Sequence, residues 1–191
     1  MKSRLQSGGD LILPVGERDH RQGGMGALAT LVEYGDYQCE HCGAAYSFIK
    51  EAQRVLGEDL LFIFRNFPLT GAHPFAALAA EAAEAAGSQG RFWEMHDLLY
   101  ENQDNLGEAL VVKAAQELRL DSRQFIADLQ NRKFKGRVRE DFMSGVRSGV
   151  SGTPGFFING SKYMGPWDGK HLIAALKSAS HNKEGDSYAV R

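Results

Sequence analysis

The chain has 191 residues, with 22 basic and 24 acidic side chains and a formal charge of −2. A content of 43% hydrophobic and 24% charged residues suits one folded domain that buries a core, and argues against a disordered chain. The near-neutral balance argues against a dedicated nucleic-acid binder, the apolar runs fall far short of the roughly 18 residues of a membrane span, and the 22 glycines follow no collagen repeat.

Residues 1–27 are polar and glycine-rich and read as a loose arm, with at most a short extended piece at 11–15. MKSRLQSGGD carries basic residues but no apolar segment after them. No export signal is expected, which places the chain in the cytoplasm, or in the periplasm if it is a processed form. Residues 28–34 (LATLVEY) form a short apolar run ended by Gly35-Asp36, a buried strand. Helical spacing of Ala45, Phe48, Ile49, Ala52 and Leu56 follows from Cys42, and Gly57 stops it. Residues 60–67 (LLFIFRNF) are a second strand, ended by Pro68.

Helical patterns then dominate. They cover 74–86 (Ala-rich), 91–100 with Phe92, Met95 and Leu99 on one face, 108–118, and 122–130. Asp121 and Gln124 resemble a capping box at the start of the last of these. Phe134, Val138, Phe142 and Val146 continue at spacing four to about Gly149, and Phe134, Val138 and Phe142 form an apolar stripe that needs a partner surface. Residues 156–164 read as a hairpin about Asn159-Gly160. Pro166 and Asp168 introduce a final helix with Leu172, Ile173 and Leu176 inward, and from about Ser180 the tail is polar and frayed. The organisation is an arm (1–27), an α/β domain (28–179) with a helical insertion at about 70–150, and a tail (180–191).

Both cysteines fall in one motif, Cys39-Glu40-His41-Cys42. A disulfide across so small a loop adds little stability, so redox chemistry explains it better than stapling. The motif lies between a strand end and a helix start. The helix N-terminus carries unpaired N–H groups and about half a positive charge, which favour a thiolate at the first cysteine. Cys39 is therefore the candidate nucleophile and Cys42 the resolving thiol. A charged His41 near the sulfur would stabilise the thiolate. Glu40 would raise its pKa and lower the potential, by at most about 30 mV. The other histidines are scattered singly, so no metal site is expected. His73 is read as a capping or surface residue rather than a neighbour of the dithiol.

The chain resembles the DsbA-like thioredoxin family. The stretches LVEYGDYQCEHC, FRNFPLTGAHP, FWEMHDLLYENQ, VREDFMSGVRSGVSGTPGFFING and GPWDGKHLIAAL carry the resemblance over most of the chain. It implies a thioredoxin fold with an inserted helical lobe and thiol–disulfide exchange with protein or peptide substrates, without a cofactor beyond the dithiol. It further implies that Pro154 is a cis-proline facing the dithiol and that Thr153 offers backbone hydrogen bonds to a bound peptide. Glu40 stands where the family usually has proline, and Gly155 where threonine is common. The direction of exchange (oxidant, reductase or isomerase) and the redox partner stay open. A thioredoxin-fold binding or chaperone module with a vestigial dithiol is the alternative from another functional class. Neither a nucleic acid nor a membrane is expected as partner.

Overall fold

The computed structural model describes residues 8–24 and 26–188. Six strands, β1 (Gly8–Asp10), β2 (His20–Gly23), β3 (Ala29–Gly35), β4 (Leu60–Asn66), β5 (Gly155–Ile158) and β6 (Ser161–Lys162), form one sheet in the order β1-β6-β5-β3-β4-β2. Helix α1 (Glu40–Leu56) connects the parallel pair β3 and β4. Helices α2 (Ala76–Gly87), α3 (Phe92–Glu101), α4 (Glu108–Glu117), α5 (Ser122–Gln130) and α6 (Lys135–Arg147) are inserted between β4 and β5, and α7 (Gly169–Tyr188) closes the chain. This is a thioredoxin fold with an inserted helical lobe, as the family resemblance implied.

The two central strands are apolar almost throughout because both of their faces are covered. Leu31, Phe62 and Phe64 pack on one face with α1 residues Cys42, Ala45, Ile49 and Ala52, α7 residues Leu172 and Leu176, and the lobe. Val32, Tyr34, Ile63, Phe67 and Phe157 point to the other face, where Phe142 of α6 packs against them. Residues 159 and 160 make the turn between β5 and β6 with φ of 48° and 84°, the left-handed pair that Asn-Gly supplies at least cost.

Four expectations need correction. Residues 8–23 are no loose arm: β1 pairs with β6 and β2 with β4, and between them Leu11 N–H donates to Gly160 O at 2.8 Å. These strands are short and polar, so neither alternation nor an apolar run marks them. The tail expected from Ser180 is helical as far as Tyr188, while residues 189–191 lie outside the described chain. The stripe on α6 is not purely apolar. Val146 is exposed, and the inward positions are Val138, Asp141, Ser144 and Gly145. Gly145 has its place because a Cβ there would lie 2.7 Å from the Phe67 ring. Finally, Asp121 caps α5 by accepting from Gln124 N–H at 3.0 Å, but the reciprocal bond is not made. Asp121 N–H donates instead to Gln89 Oε1, and the Gln124 side chain reaches forward to Asp128.

Candidate active site

The sheet delivers the dithiol to one end of the central strands. β3 ends at Gly35, Asp36 and Tyr37 turn the chain, and Cys39 occupies the N-cap of α1. Its side chain makes no capping bond, so the sulfur is left for chemistry. Cys42 lies within the first turn and is fully buried, and both thiols are free. Cys39 is itself only 6% exposed, a narrower opening than the sequence suggests.

The two thiols are driven apart in acidity. The Cys39 thiol is lowered to about 5, first by its hydrogen bond with Cys42, against the opposing effect of burial, and further by Thr153 and the backbone N–H groups of Cys42 and His41. Burial pushes the Cys42 thiol well above its ordinary value, and the hydrogen bond to Cys39 and the charge of Glu33 add to this. Asp36 N–H donates to Cys42 Sγ at 3.5 Å. Paired groups whose environments separate their acidities are the pattern of a nucleophile and its resolving partner.

Thr153 meets Cys39 from the loop before β5. Its carbonyl oxygen accepts from Cys39 Sγ at 3.5 Å, and its buried hydroxyl oxygen has no other hydrogen-bond partner. The hydroxyl is therefore available to the thiolate. The Thr153–Pro154 peptide bond is cis.

His41 and Glu40 stand differently from expectation. His41 is exposed, with its ring edge-on to Trp167 at 6.3 Å. Its contribution to Cys39 comes from its backbone N–H. Glu40 is exposed, and its carboxylate is not among the groups that set the Cys39 acidity. Solvent screens a charge so placed, which shrinks the expected shift in potential.

Two residues escaped the sequence reading. Glu33, on β3, is buried, and one of its carboxylate oxygens has no hydrogen-bond partner. Burial first, and the charge of Cys39 second, raise its pKa to about 8. The only sequence signal was a carboxylate inside an otherwise apolar strand. His73, read as a surface or capping residue, has its Nδ1 2.8 Å from Asp36 Oδ2. The same carboxylate accepts from Gln38 N–H and Leu69 N–H. His73 thus helps hold the turn whose backbone touches Cys42.

Known proteins share this architecture. BdbD from Bacillus subtilis superposes with a TM-score of 0.79 at 24% identity, covering 92% of this chain and 97% of that one. For alpha-DsbA1 from Wolbachia pipientis the values are 0.76 and 21%, with the same coverages. A protein of Salinispora tropica named Na(+)/H(+) antiporter NhaA 3 is 44% identical over 171 residues, which are 89% of this chain and 26% of that protein. The chain thus spans about a quarter of the length of the curated relatives it matches. The family model described as thioredoxin matches residues 16–178, and the chain belongs to the thioredoxin family.

Proposed function

We propose that the chain is a thiol–disulfide oxidoreductase that acts on cysteines of proteins or peptides and favours their oxidation. The carrying observation is the divided acidity of the dithiol, with Cys39 held near 5 and Cys42 raised. A stabilised thiolate stabilises the reduced form, which makes the disulfide form the stronger oxidant. A substrate thiolate attacks Cys39 of the disulfide, forms a mixed disulfide and expels Cys42 as thiolate. A second substrate thiolate then attacks the substrate sulfur and expels Cys39. Two electrons pass to the dithiol, the substrate gains a disulfide, and no further cofactor takes part. Thr153 and Pro154 provide the edge along which the substrate backbone docks.

Insulin reduction separates this reading from the binding-module alternative. Turnover above that of Cys39→Ser is expected, and equal rates would leave only a binding module. Equilibration with glutathione tests the direction. A potential above the roughly −270 mV of a reducing dithiol is expected, and a lower value would make the chain a reductase.

Glu33 is the acid that protonates the expelled Cys42 thiolate. Its pKa of about 8 keeps it mostly protonated at neutral pH, and the influence of its ionised form on the Cys42 acidity marks the two groups as neighbours. Glu33→Gln should slow formation of the mixed disulfide and remove an inflection near pH 8 from its pH profile. The linkage sign gives a second readout. A carboxyl raised above its unfolded value of about 4.5 favours the fold at low pH and loses that contribution as pH rises through about 8. Glu33→Gln should therefore gain stability relative to the parent in denaturant melts at pH 9 and not at pH 4. Equal pH slopes in the two proteins would show that Glu33 titrates normally.

The expected cytoplasmic location gains no support from the relatives, whose names are those of a membrane ion antiporter. No helix among the described residues is long and apolar enough to cross a membrane. An oxidising dithiol would be kept reduced by the cytosolic glutathione pool, which favours work in an oxidising compartment.

A further inference from the structure

We propose that Gln103, on the inserted lobe, is a positioning residue for the dithiol, and that position 43 is glycine in order to admit it. The inference rests on the reading of Cys39 as the nucleophile. Gln103 begins a short 3-10 turn (Gln103–Asn105) between α3 and α4. Its Nε2 donates to Tyr37 O at 2.7 Å and to Cys39 O at 2.9 Å. Those carbonyls belong to the segment that carries the nucleophile into α1. Cys39 O also accepts Gly43 N–H at 3.0 Å, and Cys39 N–H donates to Asp36 O at 3.1 Å. The backbone of Cys39 is thus held on both sides, although its side chain makes no capping bond.

The amide of Gln103 rests directly on Gly43. A Cβ at position 43 would stand 2.2 Å from Gln103 Oε1 and 3.0 Å from Cδ. Glycine is a poor choice inside a helix, and alanine is the best one. The backbone at Gly43 is not left-handed, so the glycine is not there for its conformation. What it supplies is space. A methyl group would leave the helix intact and displace the end of a flexible side chain, and with it both hydrogen bonds to the turn. The acidity of Cys39 depends on where that turn holds its sulfur. Sγ lies 3.5 Å from Thr153 O and within reach of the backbone N–H groups of His41 and Cys42. Freeing the Cys39 carbonyl loosens that aim and weakens the support of the thiolate.

The test is the pH titration of thiolate ultraviolet absorbance in the reduced full-length protein, for the parent, Gln103→Ala, Gly43→Ala and the double variant. The parent midpoint is expected near 5. Each single variant should raise it by about one pH unit, a tenfold change that matches the loss of about one hydrogen bond to the thiolate once the turn loosens. The double variant should go no higher than either single, because both changes remove the same contact. A purely structural Gln103 would alter melting and leave the midpoint in place. A low parent midpoint with unmoved single variants, or with additive shifts, overturns the positioning role alone. An ordinary parent midpoint overturns both this role and the activated nucleophile on which it rests.

Discussion

Cys42→Ser, incubated with a peptide disulfide, should accumulate a mixed disulfide through Cys39, whereas Cys39→Ser should trap nothing. A thiol with a pKa near 5 is about 99% thiolate at pH 7, against a few per cent for an ordinary cysteine. Intrinsic nucleophilicity falls with pKa by about half as much on a logarithmic scale, so the two effects roughly cancel at neutral pH and leave Cys39 a net advantage below it. Cys42 has neither access nor charge. It is completely buried, and its acidity is pushed the other way. Once the resolving thiol is replaced by a hydroxyl, nothing expels the bound peptide, and the mixed disulfide should persist until an external thiol removes it. Non-reducing electrophoresis with mass mapping of the adduct decides the matter. An adduct on Cys42 in the Cys39→Ser protein would reverse the assignment. The 6% exposure of Cys39 adds a condition: extended peptides should trap well, and folded proteins with recessed cysteines poorly.

The parts of the site that lie close together in the chain could be read from sequence, and those that depend on long-range pairing could not. A strand end, Cys-x-x-Cys and a helical pattern are adjacent, so the local rule for a helix N-terminus was enough to place Cys39 at the N-cap and Cys42 inside the first turn. Glu33 shows where that rule stops. It sits in an apolar strand, and only the register β3 shares with β4 and β5 makes it a buried acid beneath the dithiol. His73 and Gln103 lie 37 residues from Asp36 and 64 from Cys39. Nothing local says that a loop after β4 and a turn in the lobe converge on one helix start. Glu40 and His41 show the opposite limit. Adjacency in sequence suggested adjacency to the sulfur, but the first turn of α1 points both side chains into solvent. The amino-terminal strands were missed because three or four polar residues carry no periodic signal. Their pairing is specified by the partner edge and by one buried ion pair.

That ion pair carries the largest expected effect on stability. Asp19→Ala should cost about 3–5 kcal/mol, the range for stranding a buried charge. Arg65 lies on β4 with its side chain fully buried, and its Nε and an η nitrogen donate to the two oxygens of Asp19 at 2.9 and 3.0 Å. The remaining guanidinium hydrogens reach Leu13 O, Pro14 O and Tyr34 Oη. The arginine therefore ties the segment between β1 and β2 to the central sheet. Removing Asp19 leaves the positive charge with neutral partners only. Against the 5–15 kcal/mol that typically holds a domain, the loss should be plain in denaturant melts. The pH dependence supplies a signature that simple loss of packing lacks. Burial by itself would raise the Asp19 carboxyl, but the Arg65 hydrogen bonds, the Gly16 N–H and the charges of Arg65 and Arg18 outweigh it and hold the pKa below its ordinary 3.8. A depressed carboxyl contributes stability that is fully present above the unfolded value and is lost as pH falls through the folded one. The parent should therefore lose this contribution below about pH 4, and Asp19→Asn, which keeps the shape without the charge, should lack that part of the slope. Adding Arg65→Met to Asp19→Ala should recover part of the loss by removing the stranded charge. Recovery cannot be complete, because Leu13 O and Pro14 O then lose their donor. If the double variant proved no more stable than Asp19→Ala, the stranded charge would not be the main source of the cost.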